Sequence, residues 1–180
     1  MERREAVRLL GAIAAVPFLP RTAESATELA ERIHESIQAG ARFRTLNAEQ
    51  QVLVTHLADA ILPRTDTPGA LDVRVPEFID HVVTDWAGAA ERQALLDGLA
   101  AIDARARAFG AASFVALNDA QQADMLRALD EQRMARDGAG HAFGLVKSLA
   151  VYGYFTSETV QREVLRTQMF FTAFEACAPA

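Results

Sequence analysis

The segment Ala58–Ile79, ADAILPRTDTPGALDVRVPEFI, decides how the chain is read. Two apolar helical patterns meet across it, joined by a loop that carries Pro63, Pro68 and Pro76, three of the six prolines in the sequence. Pro63 closes the first pattern, because a proline can neither donate a helical hydrogen bond nor leave the residue before it in a helical conformation. Thr65-Asp66-Thr67-Pro68-Gly69 is turn chemistry: Pro68 presets its own φ, and Gly69 is free to take φ > 0. Pro76 then suits the first turn of the next helix, where a missing N–H costs nothing. A connection this constrained predicts a rigid surface. A second stretch, Gly153-Tyr154-Phe155-Thr156-Ser157-Glu158, combines aromatic and turn-forming residues and predicts an aromatic turn.

Outward from the loop, helical periodicity continues in both directions. Upstream, Asn47 and Gln50 form an N-cap signature ahead of a stripe made by Leu53, Leu57 and Ile61. Before that, Leu29, Ile33 and Ile37 at four-residue spacing predict a one-sided helix over 26–38, ending near Gly40. Downstream, Phe78, Ile79, Val82, Val83 and Trp86 give a broad apolar face. Leu95, Leu96, Leu99, Ile102, Ala106 and Phe109 repeat at three to four residues up to Gly110, a C-terminal stop. Ser113–Leu117 reads as a short connector. Asn118 and Gln121 repeat the cap signature before Met125, Leu126 and Leu129, in a helix running to about Ala135. Asp137–Gly140 reads as a flexible loop, and His141–Tyr152 as a helix so poor in charge that it belongs at the centre. Thr156-Ser157-Glu158 caps a last helix reaching about Arg166. No convincing alternating strand, internal repeat or heptad pattern is present. The fold class expected is all-α: a compact single-domain helical bundle over 26–180, preceded by an export signal segment over 1–25.

That leader, MERREAVRLLGAIAAVPFLP, is basic, then apolar, then ends in prolines. Arg3, Arg4 and Arg8 form the charged part, and Leu9–Leu19 is too short to span a bilayer comfortably. The Arg3-Arg4 pair, followed by Val7, Arg8 and Leu9, is similar to a twin-arginine signal, the address of cargo that folds before export. Glu2, Ala6 and Val7 depart from the usual pattern, and Ala23-Glu24-Ser25 is the best small-x-small cleavage position. The expected location is the periplasm or the periplasmic face of the inner membrane.

Length and composition limit what these motifs mean. The 180 residues, 51% of them hydrophobic, suffice for one domain with a real core. A net charge of −6 and the lack of any basic run beyond the leader exclude nucleic acid as the principal partner. No nucleophile elbow, phosphate-binding glycine fingerprint or haem-attachment motif occurs. His81 and Asp85 stand four apart on one helix, a spacing open to a metal, but sequence places no further ligand beside them and a surface hydrogen bond is the commoner use. His56 falls at a helix boundary, and His34 and His141 in polar surroundings. Asp59, Asp66 and Asp72 are acids expected of turns and lack calcium-loop spacing. Neither a catalytic residue, nor a bound cofactor, nor a metal site is expected in this chain. Cys177, the lone cysteine, allows no internal disulfide; it is either a free thiol or an intersubunit bridge from a tail that reaches a partner.

The order LADAILPRTDTPGA, VPEFID, FGAASF and VKSLAVYGYFTSE, over roughly Asn47–Ser157, resembles the gluconate 2-dehydrogenase subunit 3 family. The resemblance implies a small all-helical subunit without its own cofactor. It would bind a large FAD-containing catalytic subunit of the glucose-methanol-choline oxidoreductase type, in complexes that oxidise sugars, sugar acids or glycosides. Several such complexes pass electrons to a cytochrome c subunit, and in several the small subunit carries the only export signal, here to be read by the twin-arginine translocase. On that reading Pro63, Thr65, Asp66, Pro68 and Gly69, with Tyr154, Phe155 and Thr156, present a preorganised contact surface. The other use of the same residues is internal packing, and for Ser157 capping alone is a sufficient account. Two further classes remain: a free-standing periplasmic enzyme, and an exported or membrane-anchored helical structural protein with an unrelated partner.

Overall fold

The computed structural model describes residues 16–17, 19, 22–135 and 138–165. Among these residues six α-helices follow one another: α1 Ala23–Gln38, α2 Ala48–Ile61, α3 Val75–Asp85, α4 Ala89–Ala108, α5 Asp119–Glu131 and α6 Gly138–Thr156. A 3₁₀ turn, Phe114–Ala116, precedes α5, and a π-helical turn, Val160–Val164, follows α6. The described residues include no strand.

The central element is α6. It packs most extensively on α4 and also against α3, α2 and α5. Its sequence explains this, because Lys147 is its only formal charge and Phe143, Val146, Leu149, Ala150, Tyr152 and Tyr154 are buried along it. A helix apolar on nearly every side is stable only with neighbours on nearly every side. Tyr152 is fully enclosed and donates its hydroxyl to the Ala26 carbonyl on α1, which satisfies the one polar atom it takes inside. Burial pushes its pKa up to about 12.

Both predicted capping boxes form. Gln50 N–H donates to Asn47 Oδ1 and Asn47 N–H to Gln50 Oε1, both at 3.0 Å, and Asn118 and Gln121 exchange the same pair. Helix α2 stops at Ile61, just ahead of Pro63, and Gly110 takes φ +82 past the end of α4. Ser157 acts as a cap, its Oγ accepting from Val160 N–H at 3.4 Å.

Several expectations are corrected. Helix α6 begins at Gly138, so part of the stretch expected as a flexible loop is helix, with Ala139 and Gly140 buried. The glycines there serve proximity. A Cβ on Gly140 would stand 2.6 Å from the Gln132 carbonyl, and one on Gly98 of α4 would stand 2.8 Å from the Gly138 carbonyl, so these backbones lie too close for side chains. Helix α6 also runs through Thr156, so Tyr154 and Phe155 occupy its last turn instead of an aromatic turn after it. Trp86 and Phe109 close their stripes in sequence but are 38% and 61% exposed. Helices α3 and α4 end one residue before them, so each ring stands at a helix terminus as its C-cap residue. The last helix contains a π-helical turn, with Leu165 N–H bonded to the Val160 carbonyl at 2.9 Å.

Candidate functional site

The connection from α2 to α3 is built by its own short-range chemistry. Ala70 N–H returns to the Leu62 carbonyl at 2.8 Å, and Val75 N–H to the Ala70 carbonyl at 3.0 Å. Asp72 ties the middle together: Oδ2 accepts from Gly69 N–H at 2.7 Å and Oδ1 from Arg64 Nη1 at 2.5 Å. Gly69 is buried and is not among the glycines with positive φ; what it supplies is the absence of a Cβ, which would meet Arg64 N at 2.6 Å. Positive φ falls instead on Arg74, at φ 57 and ψ 40, a left-handed conformation that L-residues with a Cβ normally avoid. Its side chain accounts for that choice. The guanidinium pairs with Glu77 at 2.9 Å and donates to the Ile37 carbonyl at 2.5 Å and the Ala41 carbonyl at 3.3 Å, placing a cation on the last carbonyls of α1.

Tyr154 supports the loop from behind. Its hydroxyl donates to the Pro68 carbonyl at 2.7 Å, and its ring lies 5.1 Å from Phe155, edge to face. Tyr154 is buried and Phe155 and Thr156 half-buried, so the phenol braces the loop and lends no free contact area of its own. The face turned outward consists of Pro63, Arg64, Thr65 and Asp66, with Leu71 43% exposed beside them. Thr156 bonds inward, donating to the Tyr152 carbonyl at 2.8 Å and accepting from His34 at 3.1 Å. His34 is therefore not in polar surroundings. It stacks on Phe78 with centroids 4.9 Å apart, and burial holds its pKa down at about 4.

Two residues central to the α3 side carried no sequence motif. Asp80 is wholly buried, and its carboxylate accepts three successive backbone N–H groups: Arg44 at 2.6 Å, Thr45 at 3.0 Å and Leu46 at 2.7 Å. Arg44 then reaches the pair noted at 81 and 85. Its Nη2 donates to Asp85 Oδ2 at 2.5 Å and to His81 Nδ1 at 3.3 Å, so His81 and Asp85 meet through a guanidinium rather than each other. Because an arginine only donates, Nδ1 is bare and the imidazole proton sits on Nε2. Burial first, and Arg44 second, lower the His81 pKa, which agrees with the neutral ring. Beside this group opens a cleft of about 510 Å³ between α1 and α3, walled by Leu29, Ile33, Arg32 and Trp86. A signal for Asp80 did exist in sequence: an acid among Phe78, Ile79, Val82 and Val83 at helical spacing must be either exposed or fully bonded.

Among the described residues no group of three or more His, Cys, Asp or Glu is placed to hold a metal, and no helix is long and apolar enough to cross a membrane. Arg3, Arg4 and the rest of the leader before Val16, and Cys177, lie outside the described residues. No curated protein and no solved structure matches the chain. A family model does, over residues 48–171, more than half of the sequence and including both the 62–74 loop and the Tyr154 stretch. The chain therefore belongs to the gluconate 2-dehydrogenase subunit 3 family, whose members are subunits of a dehydrogenase complex.

Proposed function

We propose that this chain is the noncatalytic small subunit of a periplasmic or membrane-associated complex that oxidises a sugar, sugar acid or glycoside. It binds and stabilises a large FAD-containing subunit of the glucose-methanol-choline type and escorts it through the twin-arginine translocase. The observation that carries this reading is membership of a family of dehydrogenase subunits by a chain in which the loop braced at Pro68 by Tyr154 turns Pro63, Arg64, Thr65 and Asp66 outward. Such a loop binds at reduced ordering cost, since its backbone is fixed before the partner arrives. Flavin, in turn, is loaded on a folded apoprotein before export, so an address for folded cargo and a docking surface belong together on one polypeptide.

The test is co-expression with the flavoprotein subunit. Replacing Arg3 and Arg4 with lysine is expected to strand both chains in the cytoplasm with the complex intact. Export of the flavoprotein despite the substitution would overturn the escort role, and turnover by the small subunit alone would overturn its noncatalytic assignment.

A further inference from the structure

The cleft between α1 and α3 is rich in donors and short of acceptors. Arg32 lies with its guanidinium 5.9 Å from the centre of the Trp86 ring; among the described residues it has no carboxylate partner, in a chain of net charge −6. Its one hydrogen bond runs from Nε to the Glu28 carbonyl at 3.4 Å, leaving both terminal nitrogens without a described bond. The second guanidinium, Arg44, is neutralised on one side by Asp85 at 2.5 Å. His81, 3% exposed, contributes to the cleft wall; among the described residues its protonated Nε2, set beside the Arg42 backbone, makes no hydrogen bond of ordinary geometry. Leu29, Ile33 and Trp86 supply apolar wall on the same cleft. One carboxylate on a short apolar stem would complete this set, balancing Arg32 and resting its methylenes on the tryptophan side.

We infer that the Arg32–Arg44–Trp86 cleft receives an acidic side chain of the catalytic partner, making it a second docking point besides the 62–74 loop. This rests on the small-subunit reading above. The source of the carboxylate follows from magnitudes. An exposed ion pair is worth little in water, so a free monocarboxylate in an open cleft of this size would bind only weakly. A carboxylate carried on a protein surface comes with the rest of an interface, which excludes water from the pair and makes it count. Arg32 and Arg44 precede the stretch that matches the family, while His81, Asp85 and Trp86 of the same cleft lie within it.

The experiment measures affinity of the full chain for the flavoprotein subunit. Arg32→Glu is expected to weaken binding by roughly 10- to 100-fold. Arg127→Glu, the same charge change at an exposed position of α5, which packs on α6, is expected to change it less than about threefold. Equal effects of the two, or none from Arg32→Glu, would overturn the inference. If the unaltered chain does not bind the flavoprotein at all, the small-subunit reading fails and the partner assignment falls with it. Glutarate titration of the isolated chain then separates the remaining cases, because Trp86 is the single tryptophan and its emission reports on the cleft. Saturable quenching lost in Arg32→Glu would make the cleft a free-carboxylate site and overturn docking of a partner's acidic side chain; no response is the result expected of a cleft that holds a carboxylate only within an interface.

Discussion

Two connectors meet at Arg74, and they are held in opposite ways. The 39–47 segment between α1 and α2 is fastened by a buried charge: Asp80 on α3 gathers three consecutive N–H groups, and Arg44 from the same segment returns to Asp85. The 62–74 segment is fastened by neutral and surface chemistry: a phenol on one carbonyl, an Asp72 that is itself exposed, and a glycine pressed against backbone. A buried carboxylate is tolerable only when fully bonded, so the first connector cannot shift without stranding it. The second has no such penalty and stays put through several modest contacts. The difference teaches which connector is a structural fastening and which is a shaped surface whose outer face remains free.

Substitution of Asp80 should give the largest effect. Asp80→Ala removes three charge-assisted hydrogen bonds and leaves the Leu46 N–H buried without a partner, and should cost about 3–5 kcal/mol in urea or guanidinium unfolding. Asp80→Asn should cost less, because an amide oxygen can still accept while the amide nitrogen faces donors. A loss below about 1 kcal/mol for the alanine variant would erase the contrast, placing both connectors in the class held by many small contacts.

Acidification should act on the same half of the molecule. His34 on α1 stacks on Phe78 and donates Nε2–H to Thr156. Its folded pKa of about 4 lies below the ordinary 6.5, so the unfolded chain binds the proton more readily. The stability of keeping it neutral is complete above pH 6.5 and is lost as pH falls from 6.5 towards 4. The difference corresponds to about 2–3 kcal/mol after allowing for partial solvent access. His81, lowered by burial and by Arg44, contributes in the same direction. Unfolding free energies at pH 7 and pH 4 check this, and His34→Gln should flatten the slope; an unchanged slope would remove His34 as its source.

Much of this was legible in the sequence, for reasons tied to particular residues. Local signals read true: the Asn47 and Asn118 caps, the Pro63 stop and the Gly110 terminator all depend on contacts within a few residues, and the lack of charge along 141–152 places that helix at the centre by composition alone. What was misread depends on contacts far along the chain. The glycines at 138–140 read as a flexible loop because the close approach of Gly98 on α4 to the Gly138 carbonyl exists only in three dimensions. His34 has polar neighbours in sequence, whereas Phe78 and Thr156, which pack on it, come from other helices. Asp80 stands out in sequence only as an acid among apolar residues; its partners are backbone groups, which carry no sequence signature.

In the 62–74 connector, the effects should be smaller and graded. Gly69→Ala would put a methyl 2.6 Å from Arg64 N and 3.1 Å from the Leu62 carbonyl, backbone atoms that cannot rotate away. The loop must open, at about 1–3 kcal/mol by chemical unfolding. On the proposed function, affinity for the flavoprotein should fall with it. A fully stable variant with unchanged affinity would show that the shape of this loop is not what the partner reads.

Tyr154→Phe should give the smallest change and the sharpest test of the comparison. It deletes one neutral hydrogen bond to the Pro68 carbonyl and leaves the buried ring in place, so the expected loss is about 0.5–1 kcal/mol, at the low end because water can replace the hydroxyl at a half-exposed loop. The informative readout is amide exchange at Thr65 and Ala70, whose N–H groups bond to the Thr67 and Leu62 carbonyls within the loop. If the phenol holds the loop in register, both should exchange faster in the variant while the Leu46 amide, bonded to Asp80, does not change. If Thr65 and Ala70 are unaffected, Asp72 and the close approach at Gly69 suffice alone. The second connector would then be self-supporting, and Tyr154 would count only as core.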